Sequence, residues 1–203
     1  MGLFDDAINK MKYDNTRITF IHMCLTFDKI LLPRHIVEDI IGNKDVEINI
    51  NVMRRILAYD DVYDNMISHD SGYKVSVALI DAILSIFNKF IKEKINYNFS
   101  NCSFYGSDLS KVIKDAVNTG FVYSQMCELF MTIAHGNMFG EYSNSIGYIL
   151  FTKLLLDLGY KPVDIDVDII FEICRLAKNN DTNELTQKFN YIFETYYTKM
   201  YTT

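Results

Sequence analysis

Between residues 75 and 95 the apolar positions Val77, Ile80, Ile83/Leu84, Phe87 and Ile91 recur every three or four residues. That is the period of one helix face, and the stretch is the longest helix the pattern predicts. The same spacing in Val52, Ile56, Tyr59 and Tyr63 predicts a helix from about residue 52. Val122, Met126, Leu129/Phe130 and Ile133 predict another over about 121–134. The run Ile146–Leu158 is apolar nearly all round, with Ile149, Leu150, Phe151, Leu154, Leu155, Leu156 and Leu158. A helix without a polar face belongs in the middle of a core. Asn144 or Ser145 is expected to cap it and Gly159 to end it. Two more helices are expected, one from Asp166 to about Lys178 and one over about 182–200. The last opens with Asp181 followed three residues later by Glu184, in the manner of a capping box.

Residues 1–50 read less clearly. Thr16–Phe27 is rich in β-branched and aromatic residues and fits a strand or a buried helix. Asp45-Val-Glu-Ile-Asn-Ile-Asn alternates polar and apolar positions, which predicts a short strand. The expected fold is mainly α: a single-domain bundle of six to eight helices around the buried 146–158 helix, with a short β-hairpin within residues 15–50. Residues 1–50 are expected to pack on a helical core formed by 51–203. Asn96–Gly106 reads as a loop, and Ser107-Asp108 as the cap of a short helix to Val117.

Proline supports this picture. The 203 residues contain two, Pro33 and Pro162, so residues 34–161 have none. Proline breaks helix interiors, and its absence suits a helical chain. The net charge of -6, from 20 Lys+Arg and 26 Asp+Glu, argues against a nucleic-acid binder, which needs cations to meet phosphates. No apolar run reaches 18 residues, so no membrane span is expected. The start lacks the basic segment and apolar core of a signal peptide. Cys24, Cys102, Cys127 and Cys174 show no CxxC spacing. Reduced thiols in a cytoplasmic protein are therefore expected.

Common catalytic signatures are missing from the sequence. No GxxxxGK[ST], GxGxxG or GxSxG occurs. Asp164, Asp166 and Asp168 open like a calcium loop, but Ile169 and Arg175 stand where the loop needs Gly and Glu. His22, His35, His69 and His135 show no HExxH spacing. Neither a metal nor a cofactor is expected. Tyr196, Tyr197 and Tyr201 form either a contact surface or the packing of the last helix.

One resemblance stands out. Ile149-Leu-Phe-Thr-Lys-Leu-Leu-Leu-Asp-Leu-Gly-Tyr-Lys-Pro162, the element Ile170–Asp181 and the closing Leu185–Phe193 resemble the scaffold of a Fic (filamentation induced by cAMP) domain over about residues 124–197. The family carries HPFx[DE]GNGRxxR before the buried helix. Aligned on that scaffold, Phe139 and Glu141 take the places of its Phe and acidic residue, and Gly147 that of a late glycine. Asn137 falls on the catalytic His, Tyr142–Ser145 on the Gly-Asn-Gly-Arg stretch, and Tyr148 on the last Arg. In active members the His takes a proton from the target hydroxyl, the glycine-rich turn cradles phosphates and the acidic residue holds the metal. An amide such as Asn137 is no general base near neutral pH, and the arginine clamps have no counterpart.

The function that follows is a non-catalytic, degenerate Fic-like module that binds another protein: a regulator, an immunity protein, or a phage or viral inhibitor of a host protein. Its Asn-, Ile-, Lys- and Tyr-rich composition suits an AT-rich genome. An acidic surface suits a partner with a basic one. An alternative is a divergent nucleotidyl- or phosphotransferase working through the 135–148 loop. There His135 and Glu141 would be the catalytic residues, and Asn137, Phe139, Gly140, Glu141 and Asn144 would hold the nucleotide. A second alternative is a structural subunit of a homo-oligomer.

Overall fold

The computed structural model describes residues 3–67, 72–91, 95, 111, 113–114, 123–135 and 137–197, with the backbone alone for 3–14, 123–126 and 197. The loop expected over 96–106, most of the short helix to Val117, Cys102 and Tyr201 lie outside the described residues.

The first helix, α1, spans Leu3–Phe27. It takes up the Thr16–Phe27 run, so the expected hairpin is replaced by helix, and no strand occurs among the described residues. Burial explains the outcome. Phe20, Ile21, Met23, Cys24, Leu25 and Phe27 are all buried, as are Thr19 and Thr26. Burial of consecutive residues fits a helix enclosed on all sides and not a half-buried strand, in which alternate residues face solvent. Thr26 meets the cost of a buried hydroxyl by donating to the His22 carbonyl at 2.9 Å, one turn back.

Short α2 (Arg34–Ile41) follows. The alternating segment after it does alternate: Val46 and Ile48 pack inward while Asp45, Glu47 and Asn49 are exposed. It lies along the core as an unpaired extended stretch, not as a strand. Asn49 then caps α3 (Ile50–Val62) by accepting from the Asn51 amide at 2.8 Å. A π-helical turn continues α3 to Ile67. Ser76 caps α4 (Val77–Phe90) through the Leu79 amide at 3.2 Å.

The second half contains α5 (Tyr123–His135), α6 (Ser143–Asp157), α7 (Val167–Lys178) and α8 (Thr182–Ile192), which ends in a second π-helical turn, Phe193–Tyr197. The described residues thus hold eight α-helices. As the apolar pattern requires, α6 is the buried centre, enclosed from Ser145 through Leu155. Lys153 is buried within it, ion-paired to Asp157 one turn on. Helices α1 and α5 pack on α6, α7 packs on both α1 and α5, and α8 packs on α5 and α7. Phe27 stacks on Tyr148 at 4.8 Å, and Phe130 meets Phe27 and Phe189 at 5.9 and 5.5 Å. These rings tie α1, α5, α6 and α8 together.

Five of the eight described helices end alike. In a Schellman ending, the residue past the last turn is left-handed, and its amide and the next bond back into the helix. Gly159 ends α6 in this way (φ 91), as the sequence predicts. Asn43, Asn137 and Asn180 do the same for α2, α5 and α7. At the end of α1 the residue is Lys29, with φ 63. Its amide bonds the Thr26 carbonyl, and that of Ile30 the Leu25 carbonyl, both at 2.9 Å.

Candidate functional site

The ends of α1 and α5, the start of α6 and one face of α7 enclose an open cleft of about 920 Å³. Its lining includes His135, Asn137, Gly140, Glu141 and Asn144. Five of the six residues singled out in the sequence therefore share one site. The sixth, Phe139, is 2% exposed and belongs to the core.

The loop between α5 and α6 differs from a phosphate cradle in its hydrogen bonding. Asn137 is the left-handed terminator of α5, with its amide on the Ala134 carbonyl. The amides of Met138, Gly140 and Tyr142 bond the carbonyls of Ile133, Asn137 and Phe139, each at 3.3 Å. The Phe139 amide donates to Ser143 Oγ at 3.0 Å, and Ser143 Oγ donates to the Gly140 carbonyl at 2.8 Å. An anion nest needs successive amides aimed outward, whereas these close the loop on itself. Gly140 turns the chain with φ 60. Tyr142 is turned into the core. Ser143, and not Asn144 or Ser145, therefore organises the start of α6.

His135 has a definite partner. Its Nδ1 lies 3.1 and 3.2 Å from the carbonyl oxygens of Ala177 and Lys178. Two carbonyls require the proton on Nδ1, so the imidazole caps the last turn of α7 from a neighbouring helix. Cys174 also lines the cleft. Burial pushes its thiol up to about 12, so it stays protonated and is a poor nucleophile at neutral pH.

Behind the loop lies a polar network that the sequence reading missed. Arg55 of α3 reaches the Asp28 carboxylate at 3.2 Å, bonds Glu141 at the cleft rim and lies 4.4 Å over the Tyr142 ring. Tyr59, one turn further along α3, hydrogen-bonds Asp28 and lies 2.9 Å from Ser145 Oγ. Ser145 donates to the Tyr142 carbonyl at 3.0 Å. The side chain of Asp28 is fully enclosed, and its Oδ1 has no hydrogen-bond partner. Burial pushes the Asp28 carboxyl up to about 6, opposed by the hydroxyls of Tyr59 and Ser145 and by Arg55. The Tyr59 hydroxyl donates to the Asp28 carboxylate, and Ser145 donates onward to the Tyr142 carbonyl. The signal for this network is only the 55/59 helical spacing on α3, since its partners come from positions 28, 141, 142 and 145.

The cleft's remaining walls come from Lys29, Phe171, Arg175 and Lys178. Residues 171, 175 and 178 fall on one face of α7 by the helical period. In the sequence they look like an ordinary solvated face. The acidic triplet before α7 is used structurally in part. Asp164 pairs with Arg34 at 2.7 Å, and Asp166 accepts from the Tyr196 hydroxyl at 2.8 Å. His22, first, and Arg34 hold the Asp164 carboxyl below its ordinary value. Among the described residues no three His, Cys, Asp or Glu side chains converge as a metal site.

No protein-family model matches the chain, and neither a curated protein nor a solved structure matches it.

Proposed function

We propose that this chain is a non-catalytic module that binds another protein, of the regulator, immunity-protein or inhibitor kind, and that the cleft beside α7 is its recognition site. The observation that carries the reading is the 137–143 loop. It borders an open cleft of about 920 Å³ while its amides are bonded inward. Such a loop shapes a surface without cradling phosphates. His135 holding the end of α7, and the protonated Cys174 thiol, support the same reading. Exposed Glu38, Asp45 and Glu47 on and after α2 complement a partner with a basic surface elsewhere on the contact.

The alternative transferase reading draws on His135 and Glu141 lining the same cleft. One experiment separates the two. A partner captured from the native source by the full chain is expected to be retained by His135→Gln and lost by Phe171→Glu, which places a charge in the cleft. Magnesium and labelled ATP are expected to leave that partner unlabelled. Retention by Phe171→Glu, or label transfer that needs His135, would overturn the proposal.

A further inference from the structure

Many cations of this acidic chain are neutralised in place. Arg17 pairs with Asp60, Arg34 with Asp164, Arg55 with Asp28 and Glu141, Lys44 with Asp39, Lys89 with Asp61 and Lys188 with Glu172. Lys29, Arg175 and Lys178, like Arg54, Lys111, Lys114 and Lys161, enter no ion pair among the described residues, but these three share the lining of one cleft. The acids near them do not cancel them. Glu141 is bonded to Arg55, and the Asp28 carboxyl is closed off inside. The cleft is therefore a cationic patch on a protein of net charge -6.

Lys29 adds a second, independent observation. Of the five Schellman-ended helices, four place Gly or Asn at the left-handed position, and α1 places Lys29 there. A β-carbon in that conformation is strained, and lysine has no short side chain that relieves it locally. Backbone strain of this kind clusters at ligand-binding sites, and Lys29 lines this cleft. Phe171 adds a third. It is 37% exposed on α7, one turn from Arg175, and lines the same cleft with an aromatic ring.

We propose that the cleft binds a dianionic group carried on a flat apolar ring. Lys29, Arg175 and Lys178 hold the dianion, and Phe171 packs on the ring. This rests on the reading of the cleft as the recognition site. A phosphate monoester and a paired carboxylate share the chemistry, and the volume suits a small organic ligand or one such side chain of a partner.

The test is calorimetry on the full chain at low salt with three probes: phenyl phosphate, inorganic phosphate and phthalate. Phenyl phosphate is expected to bind about tenfold more tightly than inorganic phosphate, and Phe171→Ala to remove that preference. Arg175→Gln and Lys178→Gln are each expected to weaken phenyl phosphate about tenfold. Lys29→Gly is expected to weaken it comparably while the thermal midpoint stays level or rises, because glycine relieves the left-handed strain. That combination separates a binding role from a folding one. Binding of phenyl phosphate without phthalate assigns a phosphate ester, and the reverse assigns a dicarboxylate. Binding of none of the three, or unchanged binding by Lys29→Gly and Arg175→Gln, overturns the inference. If partner capture is then still lost with Phe171→Glu, the proposed function stands without it. If capture is indifferent to that change, both fall.

Discussion

Asp28 is the residue whose environment is least like water. Its side chain is fully enclosed, with Tyr59 and Arg55 of α3, Ser145 of α6 and Cys24 of α1 around it. A carboxyl pushed up to about 6 holds its proton in the folded chain at pH values where the unfolded chain has lost it. Between about pH 4 and 6 the folded state therefore binds more protons. The stability from this group is full below about pH 4, falls as pH rises toward 6 and is flat above. Two pH units correspond to about 3 kcal/mol. Asp28→Asn is expected to abolish that decline, so that in urea unfolding the variant gains stability relative to wild type from pH 4 to pH 6.5. A difference independent of pH would mean that Asp28 titrates normally in the folded chain.

At the scale of the helix, two contacts set how α5, α6 and α7 sit around the cleft. His135 of α5 bonds the last carbonyls of α7. Removing the imidazole in His135→Ala leaves that end to water and is expected to cost about 1 kcal/mol in chemical denaturation. A loss within about 0.2 kcal/mol of zero would show that the contact carries no stability. Gly147 lets α6 approach α5: a β-carbon there would stand 2.9 Å from Phe130 Cδ2. Phe27 and Phe189 flank that ring and restrict its retreat. Gly147→Ala is therefore expected to destabilise by about 1–3 kcal/mol through overpacking, more than the roughly 1 kcal/mol alanine gains in helix propensity. A raised thermal midpoint would contradict this packing.

Helices with one apolar face, such as 77–90, were legible from period alone, as were the capped start at Asp181 and the glycine stop at 159. The helix over Thr16–Phe27 was ambiguous because a segment buried all round has lost the polar positions that reveal its period. The segment 45–49 shows the converse. Its alternation is real, but alternation reports only burial of one edge, and the partner strand is what makes a sheet. The site was half legible. The 135–144 loop is contiguous and drew attention as one stretch. Lys29, Arg175 and Lys178 come together only through the packing of α1 on α7, and no local pattern encodes that. Asn137 was informative for a different reason from the one its position suggested, since it ends a helix.

For the whole molecule, the buried centre also governs thiol chemistry. Cys24, Cys127 and Cys174 are buried, and burial raises all three thiols above their ordinary range. With a thiol reagent at pH 8, peptide mapping is expected to find these three modified only as denaturant opens the bundle. Modification of any of them within seconds in buffer would contradict the packing of α1, α5 and α7. The larger question is whether the cationic cleft beside α7 is where an acidic protein recognises its partner. The most direct measurement is a titration of the isotope-labelled chain with phenyl phosphate, followed by amide chemical shifts. The expected result is a saturable change concentrated at Lys29, Asn137, Gly140, Asn144, Phe171, Arg175 and Lys178. Shifts that gather on another face, or none from phenyl phosphate and none from phthalate up to tens of millimolar (roughly the limit of specific affinity for so small a ligand), would contradict the inference that this cleft holds a dianion.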